Sequence, residues 1–334
     1  MNTEEFSYHL PADLVAFYPE ERRDCCNLMV VDRNGNIQHR KFYELEDLLH
    51  EGDSLVLNNT KVIPARLYGK RDSGKRIEVF LVDKINSRRW KCLVRNPKDG
   101  IEIKFDRGVS GELNKNGRDE WFIDFRSGVD EYLGRYGKMP LPPYITREPE
   151  ETDNVYYQTV YARESGAIAA PTAGLHFSHE LLSRLNKIGV EISYLTLHVG
   201  IGTFKPVKTV RIEDHHMHEE YREIPDETSR AINRAKQEGR RVIAVGTTAV
   251  RALESSVDDS GIVSPSSGFT DLFIYPGFQF KVVDALITNF HLPKSSLILL
   301  VAAFAGKELI FKAYKEAIEK RYRLLSYGDA MLIV

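Results

Sequence analysis

Four short segments of this chain combine glycine, threonine and histidine in a way that could assemble one active site: PTAGLHF (171–177), LHVGIGTF (197–204), VGTTAVRALES (245–255) and TNFHLPKSS (288–296). Imidazole titrates near neutrality, so His176, His198 and His291 are the groups best suited to accept or deliver a proton. Gly246, Thr247 and Thr248 stand where a strand hands over to a helix, and free amides and hydroxyls at such a junction can hold a small anionic or polar group. Gly200 and Gly202 flank Ile201 at the end of an apolar run, where a missing side chain lets a ligand approach the backbone; Gly174 offers the same opening beside Thr172. Thr203 and Asn289 add polar groups to the same segments.

Each segment also has a plain structural explanation. A threonine cap accounts for 246–248, and a β-bulge beside a satisfied core histidine accounts for 198–202. What single segments leave open, recurrence favours: seven of the ten histidines lie between His176 and His291, a concentration that core packing does not require. Among them His215, His216 and His218 suggest a metal site, and a metal-dependent hydrolase is the competing functional reading. Against it, adjacent histidines point in different directions and no HExxH motif is present. Glu213, Asp214, Glu219 and Glu220 make a solvated charged turn an equally good account of that cluster.

The elements that must position these residues alternate. Ser178 caps a predicted helix that starts at Glu180 and ends at Gly189, and Val190 to Val199 reads as a strand. Asp226 to Glu238 is an amphipathic helix stopped by Gly239, followed by a strand at Arg241 to Val245 and a helix at Ala249 to Ser256. A strand at Val282 to Ile287 leads to a buried helix, Leu297 to Ala305, closed by Gly306. This order predicts a layered α/β domain. The N-terminal stretch belongs with it, through a hairpin turning at Asn34-Gly35 and a strand at Asp53 to Asn58. Between Ala65 and Phe125 the pattern changes to closely spaced runs, RIEVFLV, RWKCLV, GIEIKF and DEWFIDF, with a turn at Asn116-Gly117, which predicts a small β-barrel or sandwich. We therefore expect an α/β catalytic domain formed by residues 1–62 and 146–334, with a barrel-like domain, 63–145, inserted into it and a boundary near Pro142-Pro143. Where the insertion begins, Lys61, Arg66, Lys70 and Arg71 surround Tyr68, a mixture of basic and aromatic groups suited to phosphates and bases, although a solvated face explains each one singly.

Composition narrows the classes. With 42% hydrophobic residues over 334 positions the chain can bury a large core, and its net charge of -2 means that any nucleic acid must be held by a local patch. Cys25, Cys26 and Cys92 give neither a disulfide framework nor the spacing of a zinc site, which fits a reducing compartment. No GxGxxG or GxxxxGK[ST] motif supports a standard nucleotide fold. The most apolar stretch falls short of the about 20 residues needed to span a bilayer, and no basic-then-apolar leader opens the chain, so a cytoplasmic location is expected.

Read in order, LPADLVAFYP, GDSLVLNNTKVIPARL, PLPPYI, YQTVYA, AAPTAGLHF, LHVGIGTFKPV, HHMHEEY, VGTTAVRALES, FIYPGF, VDALITNFHLPKSSL and SYGDAML make the chain closely resemble, nearly end to end, the S-adenosylmethionine:tRNA ribosyltransferase-isomerase family of queuosine biosynthesis. It departs from the family at Cys25-Cys26, at Ser73-Gly74-Lys75 and at Ala249, where serine is usual. The resemblance implies transfer of the ribosyl part of S-adenosylmethionine to an aminomethyl-deazaguanine (preQ1) at the tRNA wobble position, rearrangement to epoxyqueuosine, and release of adenine and methionine, with no metal. Such chemistry needs a base for the hydrogen beside the sulfonium and a donor for departing adenine. His176, His198 and His291 are the expected candidates. Thr172, Gly174, Gly200, Gly202, Thr203, Gly246, Thr247, Thr248, Arg251 and Asn289 are expected to hold the cosubstrate, Arg251 through a carboxylate or a phosphate, and Lys61, Arg66, Tyr68 and Lys70 to meet tRNA. A non-catalytic tRNA-binding protein would show the same patch without adenine release.

Overall fold

A computed structural model describes residues 1–117, 120–204 and 206–334. Strands β1 (Asn27–Val31), β2 (Ile37–Lys41), β3 (Ser54–Asn58) and β4 (Thr60–Val62) come first. Six barrel strands follow: β5 (Arg66–Arg71), β6 (Arg76–Lys84), β7 (Arg89–Val94), β8 (Ile101–Lys104), β9 (Ser110–Asn116) and β10 (Glu120–Phe125). The remaining strands are β11 (Glu164–Ala167), β12 (Glu191–Leu197), β13 (Glu220–Ile224), β14 (Val242–Val245), β15 (Ser266–Thr270), β16 (Ala285–Asn289) and β17 (Ala330–Ile333). The helices are α1 (Asp130–Tyr136), α2 (Asp153–Tyr156), α3 (His179–Lys187), α4 (Asp226–Gln237), α5 (Thr247–Glu254), α6 (Ser296–Ala305) and α7 (Lys307–Glu319).

Nine strands form one sheet in the order β15-β13-β12-β3-β14-β16-β17-β1-β2. Its centre, β12, β3, β14 and β16, is parallel throughout. Parallel strands covered on both faces read as near-continuous apolar runs, and β3, β14 and β16 are buried along their whole length, with polar residues only at their ends. Successive residues face opposite layers. Val56, Val242, Ala244 and Leu286 join the core beneath α4 to α7, whereas Leu55, Leu57, Ile243, Val245 and Ile287 join the core beneath α3. The second sheet closes as a barrel, β10-β7-β6-β5-β8-β9, around Leu67, Val79, Trp90, Ile103 and Ile123. Its strands are contiguous in sequence, while the large sheet draws β1 to β3 from before them and β12 to β17 from after them.

The expected alternation of strands and helices is present, with three differences that have physical causes. Helix α5 starts at Thr247 rather than Ala249, because Gly246 at φ 87° and ψ 152° turns the chain directly out of β14. That backbone region is open essentially to glycine alone, so Gly246→Ala is expected to destabilise the fold by about 1–3 kcal/mol, measured as a lowered denaturation midpoint. The last parallel strand is Ala285–Asn289, not Val282 to Ile287. The amides of Val282 and Val283 donate instead to Glu254 Oε1, both at 3.0 Å, and so are lost to the ladder. Strands β5 and β9, RLYGKR and SGELNKN, escape a hydrophobicity reading because only alternate residues enter the barrel core.

Candidate active site

The central parallel strands end together, placing Asn58, His198, Gly246 and Asn289 along one edge of the sheet. Strand order reverses about β3, and the crevice at such a carboxyl edge is where open α/β sheets bind ligands. Two cavities open there. An inner pocket of about 40 Å³ is lined by Thr172, Thr203, Gly246, Thr247, Thr248, Thr288, Asn289 and His291. An outer cavity of about 1610 Å³ is lined by Lys61, Tyr68, Gly166, His198, Gly200, Glu220, Tyr221 and Phe269, and by barrel side chains that include Trp90. Val199 borders both.

The three histidines are in different situations. His198 faces the outer cavity; its Nδ1 lies 2.8 Å from Thr60 Oγ1 and its ring stacks on Tyr221, centroids 5.6 Å apart at 24°. Thr60 Oγ1 also lies 3.5 Å from the Glu164 carbonyl; with the hydroxyl turned there, Oγ1 accepts from Nδ1–H and the Nε2 lone pair is left to the cavity. Burial lowers the His198 pKa below the ordinary 6.5, against the opposing pull of Glu164 and Glu223. His291 lines the inner pocket with Nε2 2.8 Å from Thr288 Oγ1, and burial brings its pKa down to about 3. His176 reaches neither cavity. It lies behind Asn289, 5% exposed, with a pKa lowered to about 3 by burial and then by Arg23 and Arg323.

The polar groups of the inner pocket are held from behind. Thr248 Oγ1 accepts from Asn58 Nδ2 at 3.2 Å, and Thr172 donates to Asn289 Oδ1 at 2.8 Å. The Gly246 amide is not free, because it donates to Ile287 O at 2.7 Å within the sheet; the amides of Thr247 and Thr248 are the open donors of the first helical turn. Gly174 and Gly202 make room for protein rather than ligand: a Cβ on Gly174 would overlap the Tyr161 hydroxyl, and one on Gly202 would stand 2.8 Å from His218 Cδ2. Gly200 donates its amide to Glu220 Oε1 at 2.7 Å, and Thr203 reaches the same oxygen at 3.5 Å.

Arg251, expected to meet a carboxylate or phosphate of a ligand, points the other way. Its guanidinium pairs with the Glu220 carboxylate and bonds the Leu272 carbonyl at 2.9 Å, both charged side chains being 5% exposed. The pair thus grips the Gly200–Thr203 segment from outside the inner pocket. Ala249, whose missing hydroxyl would matter in the site, is fully buried in the core and lines neither cavity.

Of the expected tRNA contacts, Lys61 and Tyr68 line the outer cavity. The Tyr68 hydroxyl bonds Glu148 Oε2 at 2.8 Å, and the Arg76 guanidinium lies 4.2 Å over its ring. Arg66 is drawn aside by Glu78 at 3.1 Å and Lys70 stands exposed farther along β5. His215 packs edge-on against Phe273 and His218 against Gly202, and among the described residues no three His, Cys, Asp or Glu side chains are grouped to hold a metal. Cys25, Cys26 and Cys92 are free thiols. Sequence reasoning missed Thr60, Glu220, Asn58 and Cys26. The first three lie inside NNTKVIPARL and HHMHEEY or beside them, yet nothing in their spacing names their partners.

The family described as "Queuosine biosynthesis protein" matches residues 3–333. Full-length relatives carry the name S-adenosylmethionine:tRNA ribosyltransferase-isomerase: that of Trichlorobacter lovleyi is 50% identical and that of Geobacter metallireducens 51%, each covering 100% of both chains. The protein of that name from Aquifex aeolicus is also 51% identical over 100% of both chains. A crystal structure of S-adenosylmethionine tRNA ribosyltransferase from Thermotoga maritima aligns with a TM-score of 0.57 at 38% identity, covering 99% of this chain and 100% of that one. A match that leaves out only the first two residues and the last, together with half identity over whole chains, places this protein in the queuosine biosynthesis protein family.

Proposed function

We propose that this protein is an S-adenosylmethionine:tRNA ribosyltransferase-isomerase. It moves the ribosyl part of S-adenosylmethionine onto preQ1 at the tRNA wobble position, forms epoxyqueuosine, and releases adenine and methionine. Full-length relatives at about half identity bear that name, and the structural observation that carries the chemistry is His198. Its Nδ1 is anchored by Thr60, its Nε2 is turned to a cavity large enough for a nucleotide, and burial keeps the ring neutral. A neutral imidazole is the form that can remove a hydrogen acidified by the neighbouring sulfonium.

The inner pocket, at about 40 Å³, has room for one or two waters, so the bulk of the cosubstrate lies in the outer cavity and sends one polar end inward to Thr172, Thr247 and Thr248. His291 then stands at that inner end as the neutral group that assists departing adenine. Residues 63–145 form the inserted barrel module of an α/β catalytic domain made of 1–62 and 146–334, and the wobble base enters between them past Lys61 and Tyr68. Among the described residues no helix is long and apolar enough to cross a membrane, and the substrate implied is a cytoplasmic tRNA. The test is incubation with S-adenosylmethionine and tRNA carrying preQ1. Adenine and methionine are expected in equal amounts and only when the tRNA is present; wild-type protein that releases neither overturns the reading.

A further inference from the structure

Behind the inner pocket four side chains form a single row. Cys26 Sγ lies 3.2 Å from His176 Nδ1, His176 Nε2 lies 3.0 Å from Asn289 Nδ2, and Asn289 Oδ1 accepts from Thr172 Oγ1 at 2.8 Å. The hydrogens in this row can be placed. Asn289 Nδ2 also faces the Leu325 carbonyl at 3.4 Å, and because a carbonyl only accepts, that side of the carboxamide is its nitrogen. His176 Nε2 is therefore an acceptor and Nδ1 carries the hydrogen, directed at the Cys26 sulfur. Asn289 Oδ1 consequently points at Thr172 and takes up its hydroxyl hydrogen, leaving the Thr172 oxygen with lone pairs alone.

We propose that His176 is a positioning residue: anchored by Cys26, it fixes the Asn289 carboxamide so that Thr172 presents only a hydrogen-bond acceptor to the inner pocket, which selects an O–H or N–H donor on the cosubstrate. This rests on S-adenosylmethionine being that cosubstrate, and the donors it offers are its ribose hydroxyls, its α-ammonium group and the amino group of its adenine. Three observations support the assignment over a role as base. His176 lines neither the inner pocket nor the outer cavity; it borders a separate cavity of about 20 Å³ together with Cys26, too small to admit the cosubstrate. Both ring nitrogens are engaged by neutral partners. The ring is packed against Phe42, centroids 5.2 Å apart, and a charged imidazolium in that setting would set an N–H against the Asn289 amide hydrogens.

The experiment compares H176L, H176Q and T172V by calorimetric titration with S-adenosylmethionine and by steady-state turnover with tRNA carrying preQ1. H176L and T172V are each expected to weaken cosubstrate affinity about tenfold, the loss of one oriented hydrogen bond, with kcat within about threefold of wild type. H176Q, whose side-chain oxygen can accept from Asn289, is expected to recover most of that affinity. The double variant H176L/T172V should be no weaker than the worse single one, since both cut the same row. Analogues lacking a ribose hydroxyl, the ammonium group or the adenine amino group identify the donor: wild type and T172V become equal for the one that lacks it. A kcat loss of 10²-fold or more in H176Q with unchanged affinity overturns the assignment and makes His176 a base. Unchanged affinity in T172V, a pocket-lining change that does not touch the imidazole, overturns it even if H176L fails to fold. A wild type that binds S-adenosylmethionine but releases no adenine overturns the functional reading instead, and the titration still decides the row.

Discussion

His198→Ala is expected to lower tRNA-dependent adenine release by about 10²–10⁴-fold, the range that separates a positioned acid–base group from none, while S-adenosylmethionine affinity changes little. His198 is the one member of the histidine trio that meets all the geometric demands on a base. One nitrogen is held, the other faces a cavity, and the stacked Tyr221 ring keeps the imidazole plane in place. Gly166 passes so close that a Cβ there would stand 2.6 Å from Nε2, which brings strand β11 against the ring without covering it. Thr60→Val removes the acceptor for Nδ1–H and frees the tautomer; a loss of about tenfold, smaller than that of H198A, is expected from misorientation alone. The pH profile supplies an independent check. A base acts in its neutral form, so kcat/KM is lost as pH falls through its pKa, and burial puts that pKa below 6.5. The acid limb should therefore lie below 6.5 in the wild type and be absent from H198A. A limb above 6.5, or one that persists in H198A, assigns the base elsewhere.

Much of the fold was legible in the sequence because its signals are local. Runs such as LVL within SLVLN, and VIAV, lack the polar alternation of a half-exposed strand, as a strand covered on both faces requires, and Ser178 and Gly306 mark helix ends by chemistry acting within one turn. Where the sequence reading went astray, the deciding partner lay far along the chain. Val282 and Val283 read as strand, but the Glu254 carboxylate takes their amides. Gly174 read as a backbone opened for a ligand, but Tyr161 fills it. The same limit governs the site. The four glycine, threonine and histidine segments do meet at one edge of the sheet, yet their spacing could not distinguish a histidine held by Thr60, 138 residues away, from one locked behind Asn289. Glu220 illustrates the point from the other side: flanked by histidines and acids it reads as a solvated turn residue, whereas it is 6% exposed and the partner of the buried arginine on α5.

That pair sets the second large effect. Removing one member of a buried ion pair leaves the other charge without compensation, so Arg251→Met and Glu220→Gln are each expected to destabilise the protein, R251M by about 3–5 kcal/mol in denaturant unfolding. The amide in E220Q keeps an oxygen for the Gly200 amide but loses the charge that answers Arg251, so its cost should fall below that of R251M. The double change R251M/E220Q restores charge balance and is expected to recover part of the lost stability, the positive coupling that residues in one network show. Activity should not follow stability. Glu220 Oε1 holds the Gly200 amide and reaches Thr203, and the Gly200–Thr203 segment stands between the inner pocket and the cavity where His198 acts. With the guanidinium gone, the carboxamide that E220Q brings to the double variant has lost the partner that set its direction, and the wall between cosubstrate and base loses its register. The expected outcome is a double variant with partly recovered unfolding free energy and adenine release still reduced at least about tenfold. Recovery of both together would mean that Arg251 and Glu220 serve the core alone, and that the segment between the cavities is positioned by its own backbone.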